Sequence, residues 1–371
     1  MTGDGLVLAV DGGGVKTDLA LLDSSGRLLS FVRGGRSQPH YLGVEGCVEV
    51  IENLLVRAFG DARLGSPERP FASTAEILLA GADLPEELAA LQAGFERLEW
   101  SERLVVGNDT EALLRAGTDR GWGIAVVCGT GINCLGLGRG GRASVPREAV
   151  PREAVPRQAV PREAVPRGAV PREARFLSFG PISGDWGGGS DVGLAALAAA
   201  VRATDGRGPQ TALKAAVPAH FGMSDPLDVA QEFHLSRLET ARLGELVPVV
   251  LGLCGEDAVA AGIIRRLAGE VVAFARAALI RLELTAADPD VVLGGRLLSS
   301  LPPEVIEAIA RQIHEVAPLA RVVVSPSEPI VGAALLGLDA VGADDAAGDR
   351  ARAELDAAVA AQSGAVADRL G

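Results

Sequence analysis

Short apolar runs, each closed by glycine and an acidic or small polar residue, recur along the chain. Residues 6–10 stop at Asp11-Gly12-Gly13-Gly14, and residues 19–22 stop at Asp23-Ser24-Ser25-Gly26. Runs of this length bounded by turn residues predict two strands joined by a glycine turn. Val44, Val48, Ile51, Leu54, Leu55 and Ala58 recur at helical spacing and predict an amphipathic helix over 44–58. The runs 77–80 and 104–106 end at Gly81-Ala82-Asp83 and Gly107-Asn108-Asp109, as buried strands of an α/β sheet do. Residues 124–128, the turn Gly129-Thr130-Gly131 and residues 132–137 then repeat the opening design of strand, glycine turn and strand. Two such hairpins suggest duplicated halves that face each other. Further on, the pattern predicts a small-residue helix at 192–201, a mostly helical stretch at 226–284 and a strand at 291–293 that ends in Gly294-Gly295. A helix at 302–316, a strand at 321–324 and a Gly/Ala-dense helix at 330–338 follow. The tail from 343 is Ala-rich and charged and predicts an exposed helix or a frayed end, with no function assigned.

One segment stands outside this pattern. Tandem copies of Val-Pro-Arg-Glu-Ala, or near variants, fill 145–174. Proline at every fifth position blocks a regular helix or central strand, and Arg with Glu keeps the segment solvated, which predicts a largely disordered insertion in a surface loop. A Pro-rich docking segment is the alternative, but nothing in the repeat has the form of a PxxP ligand. Without it about 340 residues remain, enough for two domains of ordinary size. The 371-residue chain carries 35 basic and 48 acidic residues. That net charge of −13 excludes a surface built for nucleic-acid phosphates or anionic lipid. Aromatics at 4% argue against a base-stacking platform. Only Lys16 and Lys214 are lysines, an arginine bias better ascribed to genomic base composition than to function. Cys47, Cys128, Cys134 and Cys254 lack the paired spacing of a zinc site or an iron–sulfur cluster within one chain. With no secretory segment and no uninterrupted apolar span, the expectation is a soluble cytoplasmic protein that meets neither membrane nor nucleic acid.

Five glycine-rich strand ends carry the candidate chemistry. In Asp11-Gly12-Gly13-Gly14-Val15-Lys16-Thr17, backbone N–H groups free of Cβ atoms can approach a polyphosphate; Asp11 can hold a hydrated Mg²⁺ and a hydroxyl can bond a phosphate oxygen. Cys128-Gly129-Thr130-Gly131-Ile132-Asn133-Cys134 could clamp a triphosphate from the opposite side, since phosphoryl transfer relies on positioning and charge stabilisation. Gly107-Asn108-Asp109 places a carboxylate at a strand end opening a helix, where it can take the proton of an attacking sugar hydroxyl. Helix capping is the plainer role for Asp109. Gly184-Asp185 with its glycine run, and the strand ending at Gly294-Gly295, complete the set; the latter leaves room for adenine against bare backbone.

In this order the motifs resemble the phosphate-1, connecting, phosphate-2 and adenosine elements of the acetate and sugar kinase, heat-shock chaperone and actin superfamily. Within it the chain resembles the BadF/BadG/BcrA/BcrD ATPase family, and especially its N-acetylglucosamine kinase branch, whose second phosphate loop reads GTGxNC and whose acidic motif reads GDEG. Ala80-Gly81-Ala82-Asp83-Leu84-Pro85 resembles that branch too. The resemblance spans 6 to about 340 apart from the repeat. It implies an α/β fold of two ribonuclease-H-like domains around a cleft: 1–118 with about 328–342, and 119–327 carrying the insertion, with 343–371 as a tail. It implies ATP and Mg²⁺ as cofactors, a small sugar as substrate and a homodimer as a possible assembly. Asp109 would be the general base for the sugar 6-hydroxyl, and Asp11 would place Mg²⁺ through water. Gly12, Gly13, Gly14, Lys16, Thr17, Gly129, Thr130 and Gly131 would hold the phosphates, and Gly294 and Gly295 the adenosine. Gln38, Asn108, Thr130 and Asp185 would face the sugar. Three positions depart from the family: Val15 for the usual Thr, Gln38 for Asn and Trp186 for the Glu of GDEG. Two other readings are an ATPase activator of a 2-hydroxyacyl-CoA dehydratase or benzoyl-CoA reductase, which calls for paired cysteines in a glycine-rich loop, and a non-catalytic sugar or nucleotide sensor.

Overall fold

Strands buried on both faces must read as unbroken apolar runs, and β1 (Val7–Gly12) and β2 (Thr17–Leu22) are buried at every position. In the computed structural model, which describes residues 5–65, 68–140 and 173–367, they are followed by β3 (Leu28–Gly34), α1 (Pro39–Asp61), β4 (Ala72–Leu79), α2 (Pro85–Glu96), β5 (Ser101–Gly107) and α3 (Asp109–Gly117). Next come β6 (Gly123–Cys128), β7 (Ile132–Leu137), β8 (Glu173–Arg175), α4 (Gly189–Thr204), α5 (Leu213–His220), α6 (Pro226–His234), α7 (Val247–Leu253) and α8 (Ala258–Arg281). The chain closes with β9 (Asp290–Gly294), α9 (Arg296–Ser299), α10 (Pro303–His314), β10 (Arg321–Val324), α11 (Pro329–Ala340) and α12 (Asp345–Ala367).

The first sheet has the order β3-β2-β1-β4-β5 and the second β10-β9-β6-β7-β8. Read from the other edge, the second order repeats the first, with an antiparallel trio followed by two parallel strands. The chain is thus an α/β protein of two ribonuclease-H-like halves, the duplication implied by the paired glycine hairpins. Positions 145–172 of the repeat lie outside the described residues. Its last two positions, Glu173 and Ala174, already stand in β8, with Glu173 opposite Leu137.

The halves interlock through two helices. The α3 helix follows the first sheet, yet its Leu113 and Leu114 pack on Ala125, Val127, Leu135 and Val292 of the second. The α11 helix follows the second sheet, yet Ile330, Val331 and Ala334 pack on Val7, Ala9 and Leu78 of the first. The two cross tightly: a Cβ on Gly332 would lie 1.8 Å from the Ala112 carbonyl oxygen.

Several elements escaped the apolar pattern. The half-exposed strand β3 carries Ser30 and Arg33 among its apolar residues, which breaks the run. The α1 helix begins at Pro39 rather than Val44, with a break in helical backbone at Gly43 (φ 67°). The tail corrects the expectation of an exposed or frayed end. In α12, Ala347, Ala351, Leu355 and Val359 are buried against the first half, a stripe at every fourth position that alanine-rich composition conceals. Glu354 accepts from the Leu28 amide at 2.7 Å, and Arg352 donates to the Ala116 carbonyl at 2.7 Å. Among the described residues no single helix is long and apolar enough to cross a membrane.

Candidate active site

The two helices that interlock the halves also set the site, because α3 starts where β5 ends. Asn108 is the N-cap: its Oδ1 accepts from the Thr110 amide at 3.0 Å and from Thr110 Oγ1 at 2.6 Å. Asp109 is therefore the first helical residue, relieved of the capping role that was its plainer reading. Burial, then the nearby charge of Asp83, pushes its carboxyl up to about 7, while backbone N–H groups of its own turn oppose the rise. Asn108, expected at the sugar, is 1% exposed and spends its side chain on Thr110 and Asp83.

Asp11 stands opposite Asp18 and Gly12, the last residue of β1, opposite Thr17, the register that leaves Gly13, Gly14, Val15 and Lys16 as the turn, closed by Gly13 N–H to the Lys16 carbonyl at 2.9 Å. Burial raises the Asp11 carboxyl to about 8 although Lys16 opposes the rise. Its side chain accepts no hydrogen bond from the described residues, and Asp109 lies near enough to act on it electrostatically. Lys16 donates to Asp18 at 2.7 Å and pairs with Glu328, so it is engaged beside the turn. Thr17 is fully buried, its hydroxyl bonding the Gly35 carbonyl at 2.6 Å and Ser37 Oγ at 2.8 Å. This ties the strand to the following loop instead of presenting a hydroxyl to solvent. Gly12 is needed for the same loop, since a Cβ there would meet Ser37 Oγ at 2.2 Å. Ser37 carried no sequence signal; only the fold brings it to Thr17. Val15 is 72% exposed at the tip of the turn.

The two glycine turns meet. A Cβ on Gly14 would lie 2.7 Å from Gln38 Oε1 and 3.2 Å from Thr130 Oγ1, so the first turn, the second turn and Gln38 converge on one point. Gly129 and Gly131 have neither a left-handed backbone nor any neighbour within 4 Å of a built Cβ, so the turn borders open space, closed by the Gly129 N–H on the Gly131 carbonyl at 3.0 Å. The start of α4 holds this turn: Gly189 N–H donates to the Gly129 carbonyl at 2.8 Å and Ser190 N–H to the Thr130 carbonyl at 3.1 Å. Gly188 (φ 83°) permits the approach, because a Cβ would sit 2.5 Å from Gly131 backbone.

Asp185 takes a hydrogen bond from Ser183 Oγ at 2.5 Å on the loop before α4. Trp186, where the family has Glu, lies beneath the Arg266 guanidinium at 4.0 Å and packs on the second core, so the departure serves packing. Gly294 and Gly295 have structural reasons of their own: the first abuts Leu113, and the second (φ 88°) abuts the Cys128 carbonyl at the end of β6. The four cysteines are free, and burial pushes the Cys128 and Cys134 thiols far up. The residue that motif spacing did not assign a role is Asp83, which accepts from Asn108 Nδ2 and Asn133 Nδ2, each at 2.9 Å.

No protein-family model matches the chain. Over 244 residues it is 26% identical to an N-acetylmuramic acid/N-acetylglucosamine kinase of Clostridium acetobutylicum, covering 66% of this chain and 69% of that protein. Over 214 residues it is 23% identical to an N-acetyl-D-glucosamine kinase of Dictyostelium discoideum, covering 56% of this chain and 58% of that protein. The structure aligns with that of a candidate N-acetylglucosamine kinase of Chromobacterium violaceum at a TM-score of 0.64 and 25% identity, over 90% of this chain and 99% of that one. The fold is that of the actin-like sugar kinases.

Proposed function

We propose that this protein transfers the γ-phosphoryl group of ATP to the 6-hydroxyl of N-acetylglucosamine or a related amino sugar, within the N-acetylglucosamine kinase branch of the BadF/BadG/BcrA/BcrD family. The observation that carries the reading is the convergence of two glycine turns at Gly14 and Thr130, with Asp109 near enough to Asp11, just before the first turn, to act on it electrostatically. The kinases it is similar to act, by their names, on N-acetylated amino sugars. Asp109 accepts the hydroxyl proton as the new oxygen–phosphorus bond forms and the bond to ADP breaks; a carboxylate poised near the working pH is suited to that transfer. N–H groups of Gly14 and Gly131 hold phosphate oxygens, in turns closed by the Gly13 and Gly129 amides, and Gly294 and Gly295 flank the adenosine. Gln38 and Asp185 recognise sugar hydroxyls or the amide, with Thr130 between sugar and phosphate.

Asp11 fits a hydrated Mg²⁺: it is buried, accepts no hydrogen bond from the described residues and is raised by burial to about 8, and one carboxylate plus substrate phosphates is this ion's usual complement. Among the described residues no group of three His, Cys, Asp or Glu forms a full metal cage. When bound, the ion would neutralise phosphate charge.

The test is ADP release with N-acetylglucosamine, glucosamine, N-acetylmannosamine, N-acetylmuramic acid and glucose. Turnover of an amino sugar is expected; no ADP with any of them sinks the reading. Asp109→Asn should lower kcat by about 10² to 10⁴ while leaving ATP affinity unchanged by calorimetry. A variant at the wild-type rate would remove Asp109 from the base role.

A further inference from the structure

The Asp83 carboxylate is not used by the reaction just described, yet it sits where the two halves touch. Asp83 follows β4, and its Oδ1 accepts from Asn108, the cap of α3 on the first half, and from Asn133, a β7 residue of the second. Both carboxamides are held by their oxygens as well. Asn108 Oδ1 is committed to Thr110, and Asn133 Oδ1 accepts from the Cys134 amide and from Ser178 Oγ, both at 2.7 Å. Neither amide can turn away without abandoning these bonds, so one oxygen of Asp83 is gripped from both halves. Buried hydrogen bonds to a charged group are about twice as strong as neutral ones.

We propose that Asp83 is a positioning residue for the phosphoryl transfer inferred above: it ties the helix that presents Asp109 to the opposite sheet and holds a negative charge beside that base. The inference rests on the kinase reading for its role in the reaction but not for the bridge itself. A negative neighbour disfavours the ionised form of Asp109 and so makes it the stronger base. Asp83 is the largest such neighbour, and Asp11 also acts electrostatically with Asp109. Burial raises the Asp83 carboxyl to about 6, against the hydrogen bond from Asn133, so it carries its charge above that pH; Glu87 of α2, His40 of α1 and Arg175 of β8 also face it. Arg175 in turn bonds Glu111, further along α3, at 2.8 Å, so with Asp11 of β1 the charges around the pair come from five elements. Glu87 also accepts from the Asp83 and Leu84 amides at 3.1 and 2.8 Å, fixing the loop that carries the bridge.

Two substitutions separate the bridge from the charge. Asp83→Ala removes both, and hydrogen exchange of the ligand-free protein should rise about tenfold in peptides spanning 105–113 and 129–137, the effect of losing one buried charged bond on each side. Asp83→Asn keeps an accepting oxygen and deletes the charge. Exchange should stay near wild type, while the acid limb of kcat/KM moves to lower pH and kcat falls about tenfold. Unchanged exchange in Asp83→Ala overturns the bridge, and an unmoved acid limb in Asp83→Asn overturns the charge role. Where Asp83→Ala does not fold, Asn133→Ala removes the far anchor and should raise exchange at 105–113 by the same factor; no rise there is equally fatal. The exchange experiment needs no substrate. Failure of every sugar to react would remove the kinase reading and the catalytic role while leaving the bridge to stand or fall on exchange alone.

Discussion

Asp109 can act as a base because its neighbour caps the helix. Asn108 spends its oxygen on Thr110, and the Asp109 carboxyl, free of that duty, is pushed up to about 7 by burial and by Asp83. A base works ionised, so kcat/KM should fall tenfold per pH unit below about 7 and level off above it, as measured in steady-state assays across pH. The same shift has a consequence for stability. A carboxyl whose folded pKa exceeds its unfolded value of 3.8 contributes fully below that value and loses its contribution as pH rises through about 7. Asp109→Asn should therefore melt a few degrees above the wild type at pH 8 and level with it at pH 4, by scanning calorimetry. Other single residues changed meaning once placed. Thr17 and Lys16, read as phosphate ligands, are engaged with Ser37 and Gly35 and with Asp18 and Glu328, because β2 runs beneath the turn and its first residues face the next loop.

Among the elements, α3 and α11 bear the greatest constraint. Each is sequence-adjacent to one sheet and packed on the other, and their crossing leaves no room for a methyl group at Gly332. Gly332→Ala should force the pair apart at a cost of about 1–3 kcal/mol, lowering Tm by several degrees, and should raise exchange in α3 before it does so in α8. The α4 helix has a comparable role on the other side, where its first amides grip the carbonyls of Gly129 and Thr130. The glycine run before it was legible as a turn. That it docks on the second glycine turn required the fold, since residues 129 and 189 meet only when α4 lies across the hairpin. The α12 stripe shows the converse: its four-residue period was present in the sequence, but alanine is too small and too frequent there for the period to stand out.

For the molecule as a whole, the repeat enters and leaves at one edge of the second sheet, where Leu137 and Glu173 are paired. An antiparallel pair can be joined by a short turn, and shortening a loop alters its closure entropy only slowly. Replacing 141–172 by a four-residue turn should then leave kcat within about twofold and Tm within a few degrees; a shifted sugar KM would assign the repeat a part in substrate access. Sequence alone determined the two halves, the glycine turns at their strand ends and the carboxylates beside them, because apolar runs and turn residues act through neighbours a few positions apart. Tertiary structure decided which of those groups face one another. Asp83 lies 25 residues from Asn108 and 50 from Asn133, and no local pattern could reveal that one oxygen serves both. The first contact arises when β4 and β5 pair side by side and the second only when the two sheets close on each other, and the burial that raises Asp109 arises with them.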